Sequence, residues 1–469
     1  MPYDPNSPLR VSARTPGNIL NLDAQPAAGD VQINGPGTLE ILAGRDFDLG
    51  VAPSNADRTA LGVTSIGNAR NPFLPFAGAD IIGGAGIGAS SGLDGSQIHF
   101  ADFTAKFLDP ASGGATAARY LPALVSLLGL TNPNPGQVWD AFQQLPAEQQ
   151  DDLALQIFYL VLRDAGRDRN NPDSPGFRNY DAANAAIAAL FPGDKWRGNI
   201  SLTSREIKTA NGGDIGLFAP GGQLVVGFDV TGTQPLDQGI LTEHGGNISI
   251  YTQQSVVVGT SRIFTLRGGN ELIFSRLGDI AAGASSKTVQ SAPPTRVLID
   301  PQSGDIQTDL AGLATGGGIG VLNTVVGVPP GDVDLIAPAG TVDAGDAGIR
   351  VAGNLNIAAV QVLNAGNIAT GGASVGTPVV AAPNLGGLTA ASNAVGAQNA
   401  TAAETAPRST TEAAQTLPSI ITVEVLGYGG GEGDPGNSDD DEEKKRRRQE
   451  KEKAPQGAKR PAQKAVAAL

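Results

Sequence analysis

The chain has 469 residues, with 46 acidic against 32 basic side chains and a formal net charge of -14. That acid excess argues against nucleic acid as the partner of a folded region. The absence of cysteine excludes disulfides, thiolate metal sites and cysteine nucleophiles.

Met1 leads into PYDPNSPLRVSAR without a basic, apolar and small-residue succession, so no signal peptide is expected in this chain. No run of about 18 apolar residues occurs, so no transmembrane helix is expected either. Residues 1–100 read as β-structure, with Val31-Gln32-Ile33, Thr38 to Leu42 and Asp46 to Leu49 set between Gly, Pro and Asn corners. Residues 67–78 and 81–97 read as loops, the second too rich in glycine to pack a core. Over 101–193 the period changes to that of helices: Arg119 to Leu130, Val138 to Phe142, a helix opened by Pro146 and Glu148 with Leu153, Ile157, Leu160 and Val161 as its apolar stripe, and Tyr180 to Leu190. This insertion of four or so helices is expected to rest on the side of the β-structure, so that deleting it leaves the β-fold intact.

From 194 to 372 the β-pattern returns, and 331–368 shows its principle most clearly. The aliphatic pairs Val333/Leu335, Ile349/Val351, Leu355/Ile357 and Val360/Val362 alternate at period two and are cut short by Gly, Asn, Asp or Pro. Strands of three to five residues make poor isolated hairpins, but stacked in a coil each pairs with the turns above and below. A corner of the form Gly-(Asp/Asn)-aliphatic recurs at Gly17-Asn18-Ile19, Gly29-Asp30-Val31, Gly198-Asn199-Ile200, Gly213-Asp214-Ile215 and Gly246-Asn247-Ile248. It returns at Gly278-Asp279-Ile280, Gly304-Asp305-Ile306, Gly331-Asp332-Val333, Gly353-Asn354-Leu355 and Gly366-Asn367-Ile368. Glycine takes the positive φ of a turn, and the Asx side chain is expected to bond its own backbone there. The pattern predicts a parallel β-solenoid whose two parts, 1–100 and 194–372, form one coil. At roughly 20 residues per rung and about 4.8 Å per step it would be about 60–65 Å long. An antiparallel sandwich is the alternative, and the scarcity of Asn-Gly and Asp-Gly hairpin turns weighs against it. Residues 373–418 read as a flexible low-complexity linker, 419–428 as a terminal strand, and 429–469, with DDDEEKKRRRQEKEK, as a disordered charged tail.

Chemical motifs are few. Gly88-Ala89-Ser90-Ser91-Gly92 matches a nucleophile elbow but lacks the flanking strand and helix, and His99 and His244 are the two histidines. Gly83-Gly84-Ala85-Gly86 begins like a calcium-roll nonapeptide but lacks its aspartate. Asp332, Asp334, Asp343 and Asp346 crowd two adjacent rungs, where they would suit Ca²⁺ or an acid/base pair, or else cap corners. Lys444 to Arg448 is basic but adjoins the acidic block Asp439 to Glu443. No catalytic, cofactor-binding or metal-binding residue is assigned, and no cofactor is expected.

Longer phrases say more. Gly35-Pro36-Gly37-Thr38-Leu39-Glu40-Ile41-Leu42-Ala43-Gly44-Arg45, Ser261-Arg262-Ile263-Phe264-Thr265-Leu266-Arg267-Gly268-Gly269, and Asp334-Leu335-Ile336-Ala337-Pro338 with Gly340 to Ile349 resemble the C-terminal associated domain of filamentous-haemagglutinin-type exoproteins. The resemblance spans about 1–428. It implies a right-handed parallel β-helix in a surface protein exported by two-partner secretion through an outer-membrane transporter, and a role in adhesion to a host-cell or bacterial surface glycan or protein. Asn132-Pro133-Asn134-Pro135 lies inside the helical insertion and cannot stand for the family's secretion-domain motif, so the N-terminal secretion domain is expected to be absent from this chain. A non-catalytic structural and binding module is therefore expected, without nucleic acid as partner. The alternatives are a β-helical polysaccharide lyase or hydrolase and the remnant of a split exoprotein gene.

Overall fold

Strands this short persist only when each is paired on both edges, and the topology supplies that pairing. The computed structural model describes residues 9–15, 19–20, 31–50, 62–68, 73, 75–88, 97–203, 205–227, 239–283, 296–299, 306–309, 317–323 and 327–378. The chain divides into two units, 1–382 and 383–469, and every element described lies in the first.

Three faces repeat in sequence. The first is made of β1 (Leu9–Thr15), β4 (Gly37–Ala43), β7 (Asp80–Ala85), β10 (Ile215–Ala219), β13 (Ile248–Thr252), β16 (Glu271–Ser275), β21 (Val333–Asp343), β23 (Leu355–Leu363) and β25 (Ser374–Val375). The second holds β2 (Ile19–Leu20), β5 (Phe47–Asp48), β8 (Ile200–Ser201), β11 (Leu224–Val225), β14 (Val256–Val257) and β17 (Ile280–Ala281), and is continued by the second halves of β21 and β23. The third holds β3 (Val31–Ile33), β6 (Gly62–Ser65), β9 (Glu206–Thr209), β12 (Gly239–Thr242), β15 (Arg262–Thr265), β20 (Gly318–Val321), β22 (Ile349–Val351) and β24 (Ile368–Thr370). Each strand pairs in parallel with its counterpart one turn on, as β10 does with β13 and β12 with β15. The architecture is mainly parallel β-sheet with five helices, and is consistent with a β-helix-like solenoid. Nine turns among the described residues give eight steps of about 4.8 Å, about 38 Å in all, shorter than the sequence estimate. Most turns are longer than 20 residues, and Glu271 faces Val333, 62 positions later. Within that excursion β18 (Arg296–Ile299) and β19 (Ile306–Asp309) pair antiparallel with each other, outside both parallel sheets. The strand expected after Gly304 is therefore not a rung.

The corners hold the turns together differently from the expectation. Asx side chains accept from the backbone N–H of the next turn rather than their own. The Asp80 carboxylate accepts from Asp214 N at 2.7 Å, Asp214 from Asn247 N at 2.7 Å and Asn247 from Asn270 N at 2.9 Å. Asn270 accepts from Asp332 N, Asp332 from Asn354 N and Asn354 from Ala373 N, each at 2.9 Å. A second ladder precedes the second face, with Asn199 N on Asp46 at 2.8 Å and Thr341 N on Asp279 at 2.7 Å. Each such bond contributes about 1 kcal/mol net. The glycine before the Asx is required where turns nearly touch: Gly213 has φ +91°, and a Cβ there would lie 2.3 Å from the Ala79 carbonyl oxygen. The corners at Asn18, Asp30 and Asp305 lie outside the described residues.

Inside the coil, side chains stack in columns. Val63, Ile207, Ile240, Ile263, Ile319 and Ile349 face one another in register along the third face, and all are buried. The 81–97 stretch is not wholly loop: Ile81 to Ala85 belong to β7 and are buried. Its glycines are packing devices, since a Cβ on Gly83 would meet Leu217 at 2.7 Å and Phe47 at 2.9 Å. Of the aliphatic pairs in 331–368, Val360 is the exception. It lies where the register between β21 and β23 shifts and is 70% exposed.

One residue breaks the columns. Glu271 takes the inward position between Ile248 and Val333, is 1% exposed, and among the described residues neither carboxylate oxygen has a hydrogen-bond partner. Burial pushes its pKa well above the usual 4.5, so the neutral acid is the form that the fold accommodates.

The helices enter between β7 and β8. They are α1 (Phe100–Phe107), α2 (Pro110–Leu127), α3 (Pro135–Gln143), α4 (Ala147–Asn170) and α5 (Asp181–Leu190). α3 opens with a full capping box between Asn134 and Gln137, and Pro146 is the N-cap of α4 rather than its first residue. The bundle does not merely rest on the side of the coil but shares a core with it. The outward side chains of the first face, Phe218, Tyr251, Phe274 and Ile336, share one core with Phe103, Phe158 and Phe191. Phe158 meets Tyr251 edge-on at 5.4 Å, and Phe191 stacks on Tyr251 at 5.6 Å. Gly166 brings α4 so close that a Cβ would lie 2.2 Å from Ile336 Cδ1.

Two outcomes follow. Deleting 101–193 strips the cover from Phe218, Tyr251, Phe274 and Ile336, each worth roughly 2–3 kcal/mol when buried; light scattering of the shortened chain should report aggregation, and a monomeric chain with cooperative β unfolding would contradict the shared core. For Glu271, the raised folded pKa means that its contribution to stability is complete below about 4.5 and is lost as pH rises toward the folded value. Thermal melts should therefore fall with rising pH above that point in the native chain, with the slope reduced in Glu271→Gln, and Glu271→Leu should gain about 2 kcal/mol at neutral pH.

Candidate functional site

A cleft of about 550 Å³ lies between α4 and the corner ladder of the first face. The ladder wall carries Thr38 at the start of β4, Asp80 at the start of β7, and Asp214, Asn247 and Asn270 at the corners that follow. These stand in line because parallel register repeats each corner one turn on. The helical wall comes from Gln149, Asp152, Leu153, Gln156, Leu160 and Arg163 of α4, spaced three and four apart on one helix face, with Leu127, Leu128 and Leu145 beside them. The ladder wall is polar and carries the carboxylates Asp80 and Asp214; the helical wall sets leucines among Gln149, Asp152, Gln156 and Arg163.

Two contacts tie the walls. Thr38 Oγ1 donates to Asp152 Oδ2 at 3.2 Å. Farther along, Arg167 grips Asp334 with Nε at 2.9 Å from Oδ1 and Nη2 at 2.7 Å from Oδ2, and it lies 3.6 Å from Asp332. The Asp334 side chain is 2% exposed and Arg167 41%. Burial raises the Asp334 pKa, while Arg167 and the Nδ2 of Asn356 pull it down. Arg163 is turned to its neighbour Asp164, at 2.8 and 3.0 Å.

Asp80 is the unusual group. Burial first, and then the charge of Asp214, raise its pKa to about 7, against the amide of Asp214 that donates to it; the Asp152 charge adds to the rise. Asp214 accepts from the amide and side chain of Asn247. Burial, reinforced by the carboxylate on the adjacent turn, leaves Asp80 holding its proton near neutrality. Chemically, the cleft offers a carboxyl that exchanges a proton near pH 7, fixed acceptors and an apolar wall.

The carboxylates singled out in the sequence do not form this site together. Asp332, Asp334, Asp343 and Asp346 lie along a single turn rather than on two, because β21 runs across both the first and second faces. Asp332 is a ladder member, Asp334 is the partner of Arg167, and Asp343 accepts from Gly345 N and Asn364 Nδ2. Among the described residues no group of three or more His, Asp or Glu is placed to hold a metal ion. His99 is the N-cap of α1 and bonds to Asp102, and His244 bonds to the Ala210 carbonyl. Ser90 and the segment 439–448 lie outside the described residues. Asp80, Asp152, Asp214 and Arg167 were missed as a group. The available signals were Asp80-Ile81, a corner with alanine in the glycine position, and Arg163 and Arg167 one turn apart beside the apolar stripe of α4.

Residues 268–379, which span β16 to β25, match the model of a family described as filamentous haemagglutinin family outer membrane protein. Over these residues the chain is similar to that family. The resemblance read from the phrases at 334–349 is thereby confirmed over this segment. No curated protein and no solved structure matches the chain. The segment 268–379 contributes Asn270, Glu271, Leu272 and Asp334 to the cleft, and the earlier turns, α4 and Leu127, Leu128 and Leu145 contribute the rest. Among the described residues no helix is long and apolar enough to cross a membrane.

Arg167→Ala should lower stability by about 2–3 kcal/mol in urea denaturation, less than the 3–5 of a fully buried pair because the guanidinium is partly exposed. Asp334→Asn in the same background should recover part of the loss, since no charge then remains buried; equal midpoints for the single and double variants would deny the pair its role.

Proposed function

We propose that the chain is a non-catalytic binding module of a surface exoprotein of adhesin type, associated with the outer membrane, whose ligand is a glycan or protein on a host-cell or bacterial surface. The observation that carries the reading is the haemagglutinin-family match at 268–379, which falls on turns of the coil itself rather than on an appendage. The coil is taken as a right-handed β-helix, the hand that parallel crossovers favour, and export of the full-length protein as passage through an outer-membrane transporter. Extended solenoids present wide surfaces for binding. Of the carboxylates that could have argued for catalysis at 332–346, Asp332, Asp334 and Asp343 are engaged in corner and inter-element bonds.

A second reading keeps the polysaccharide lyase or hydrolase open on one specific observation: Asp80, titrating at about 7 beside Asp214, is the kind of split carboxyl pair that acid/base catalysis uses. Purified chain labelled with a fluorophore should bind saturably to epithelial or bacterial cells in flow cytometry, and should release no reducing ends or unsaturated products from acidic or neutral polysaccharides. Absence of saturable binding would overturn the adhesin reading. Turnover lost in Asp80→Asn with an unchanged circular dichroism spectrum would establish the enzyme.

A further inference from the structure

We propose that the cleft between α4 and the corner ladder holds a primary ammonium group carried on an aliphatic chain. The assignment names a ligand class for a binding surface and so rests on the binding-module reading above. Asp80 and Asp214 stand on adjacent turns, about 4.8 Å apart along the coil, and among the described residues neither is paired with a basic side chain. Asp80 receives the amide N–H of Asp214, and Asp214 receives the N–H groups of Asn247. The one arginine of α4 that lines this part of the cleft, Arg163, is held by Asp164. A cation between the two carboxylates removes a repulsion that the protein leaves uncompensated.

The opposite wall decides what kind of cation. Leu153 and Leu160 are half-buried and Leu127 is 41% exposed, so this wall favours methylene groups over water. A bare metal ion would leave both the leucines and most of the roughly 550 Å³ unused. A neutral polyol would meet the acceptors without relieving the charge. An ammonium on an alkyl chain satisfies both walls at once, with three N–H donors toward the carboxylates and its chain along the leucines. The same chemistry comes from a free alkylamine or from a lysine side chain of a protein partner.

Isothermal titration calorimetry of the full chain at about pH 8, above the Asp80 titration, tests this with methylamine, hexylamine, pentane-1,5-diamine, Nα-acetyl-lysine methylamide and the neutral hexane-1,6-diol. Affinity should rise from methylamine to hexylamine, and the amines should bind at least about tenfold more tightly than the diol. The Asp80→Asn/Asp214→Asn double variant keeps the ladder acceptors and removes their repulsion, so it should lose about tenfold in amine affinity while melting no lower than the native chain. Should that variant fail to fold, raising the salt concentration on the native chain should weaken amine binding and leave the diol unaffected. Stronger binding of the diamine than of the lysine derivative identifies a free amine as the source, and the reverse identifies a side chain. Equal affinity for diol and amine, or amine affinity insensitive to both the double substitution and salt, overturns the proposal. Cell binding measured on the same preparation separates the two readings: retained cell binding without amine binding removes the cleft assignment alone.

Discussion

Every strand in the coil depends on being stacked. Segments such as Leu224–Val225 and Val256–Val257 have two residues each, far below what an isolated hairpin needs to persist. Parallel register gives each of them partners on both edges, and the Asx ladders bind one turn to the next through backbone N–H groups that the corner would otherwise leave unpaired. Because these bonds cross between turns, their stabilisation exists only once neighbouring turns are in place, which makes the array cooperative.

The same dependence reaches the helices. The first face has an apolar inside, as any coil must, and also an apolar outside, with Phe218, Tyr251, Phe274 and Ile336 in one column. Such a face is stable only when covered. α4 covers it, anchored by Arg167 on Asp334, by Asn170 on Asn356 and Ile357 at 2.8 Å, and by Tyr159, whose hydroxyl donates to the Leu217 carbonyl at 3.0 Å. Coil and bundle are one folding unit as a consequence. The charged pair sets where α4 lies on the face, while the aromatic packing supplies most of the stabilisation.

Where α4 parts from the ladder, the cleft opens, and its chemistry follows from two structural necessities meeting. The ladder requires acceptors at the corners, and carboxylates serve as well as amides. The helix requires an apolar stripe, and the stripe extends past the area that the sheet covers. A polar edge carrying Asp80 and Asp214, facing leucines set among polar side chains, is what remains. On this view the site is a surface left over at a junction, held rigidly because both of its walls belong to regular elements.

Much of the coil was legible in the residues. Period-two alternation, short strands and Gly-Asx corners specify local geometry, and local geometry is set by φ/ψ preferences and side-chain volume that each residue carries with it. The same reading failed where a position is defined by a distant neighbour. Glu271 follows the corner Gly269-Asn270, but a carboxylate in the aliphatic position hid that turn, and only the column between Ile248 and Val333 reveals it as interior. Gly83 and Gly84 read as loop, whereas Phe47, Leu217 and Phe218 occupy the space that side chains there would have needed. Asp334 and Arg167 are 167 positions apart and nothing local joins them. What the sequence determined by itself was the repeating corner and the family of the segment 268–379, because both are written in consecutive residues. The covered outer face, the single turn that carries Asp332 to Asp346, and the Asp80–Asp214 cleft were decided by tertiary structure alone, because register and packing bring together groups whose separation along the chain carries no trace of their contact.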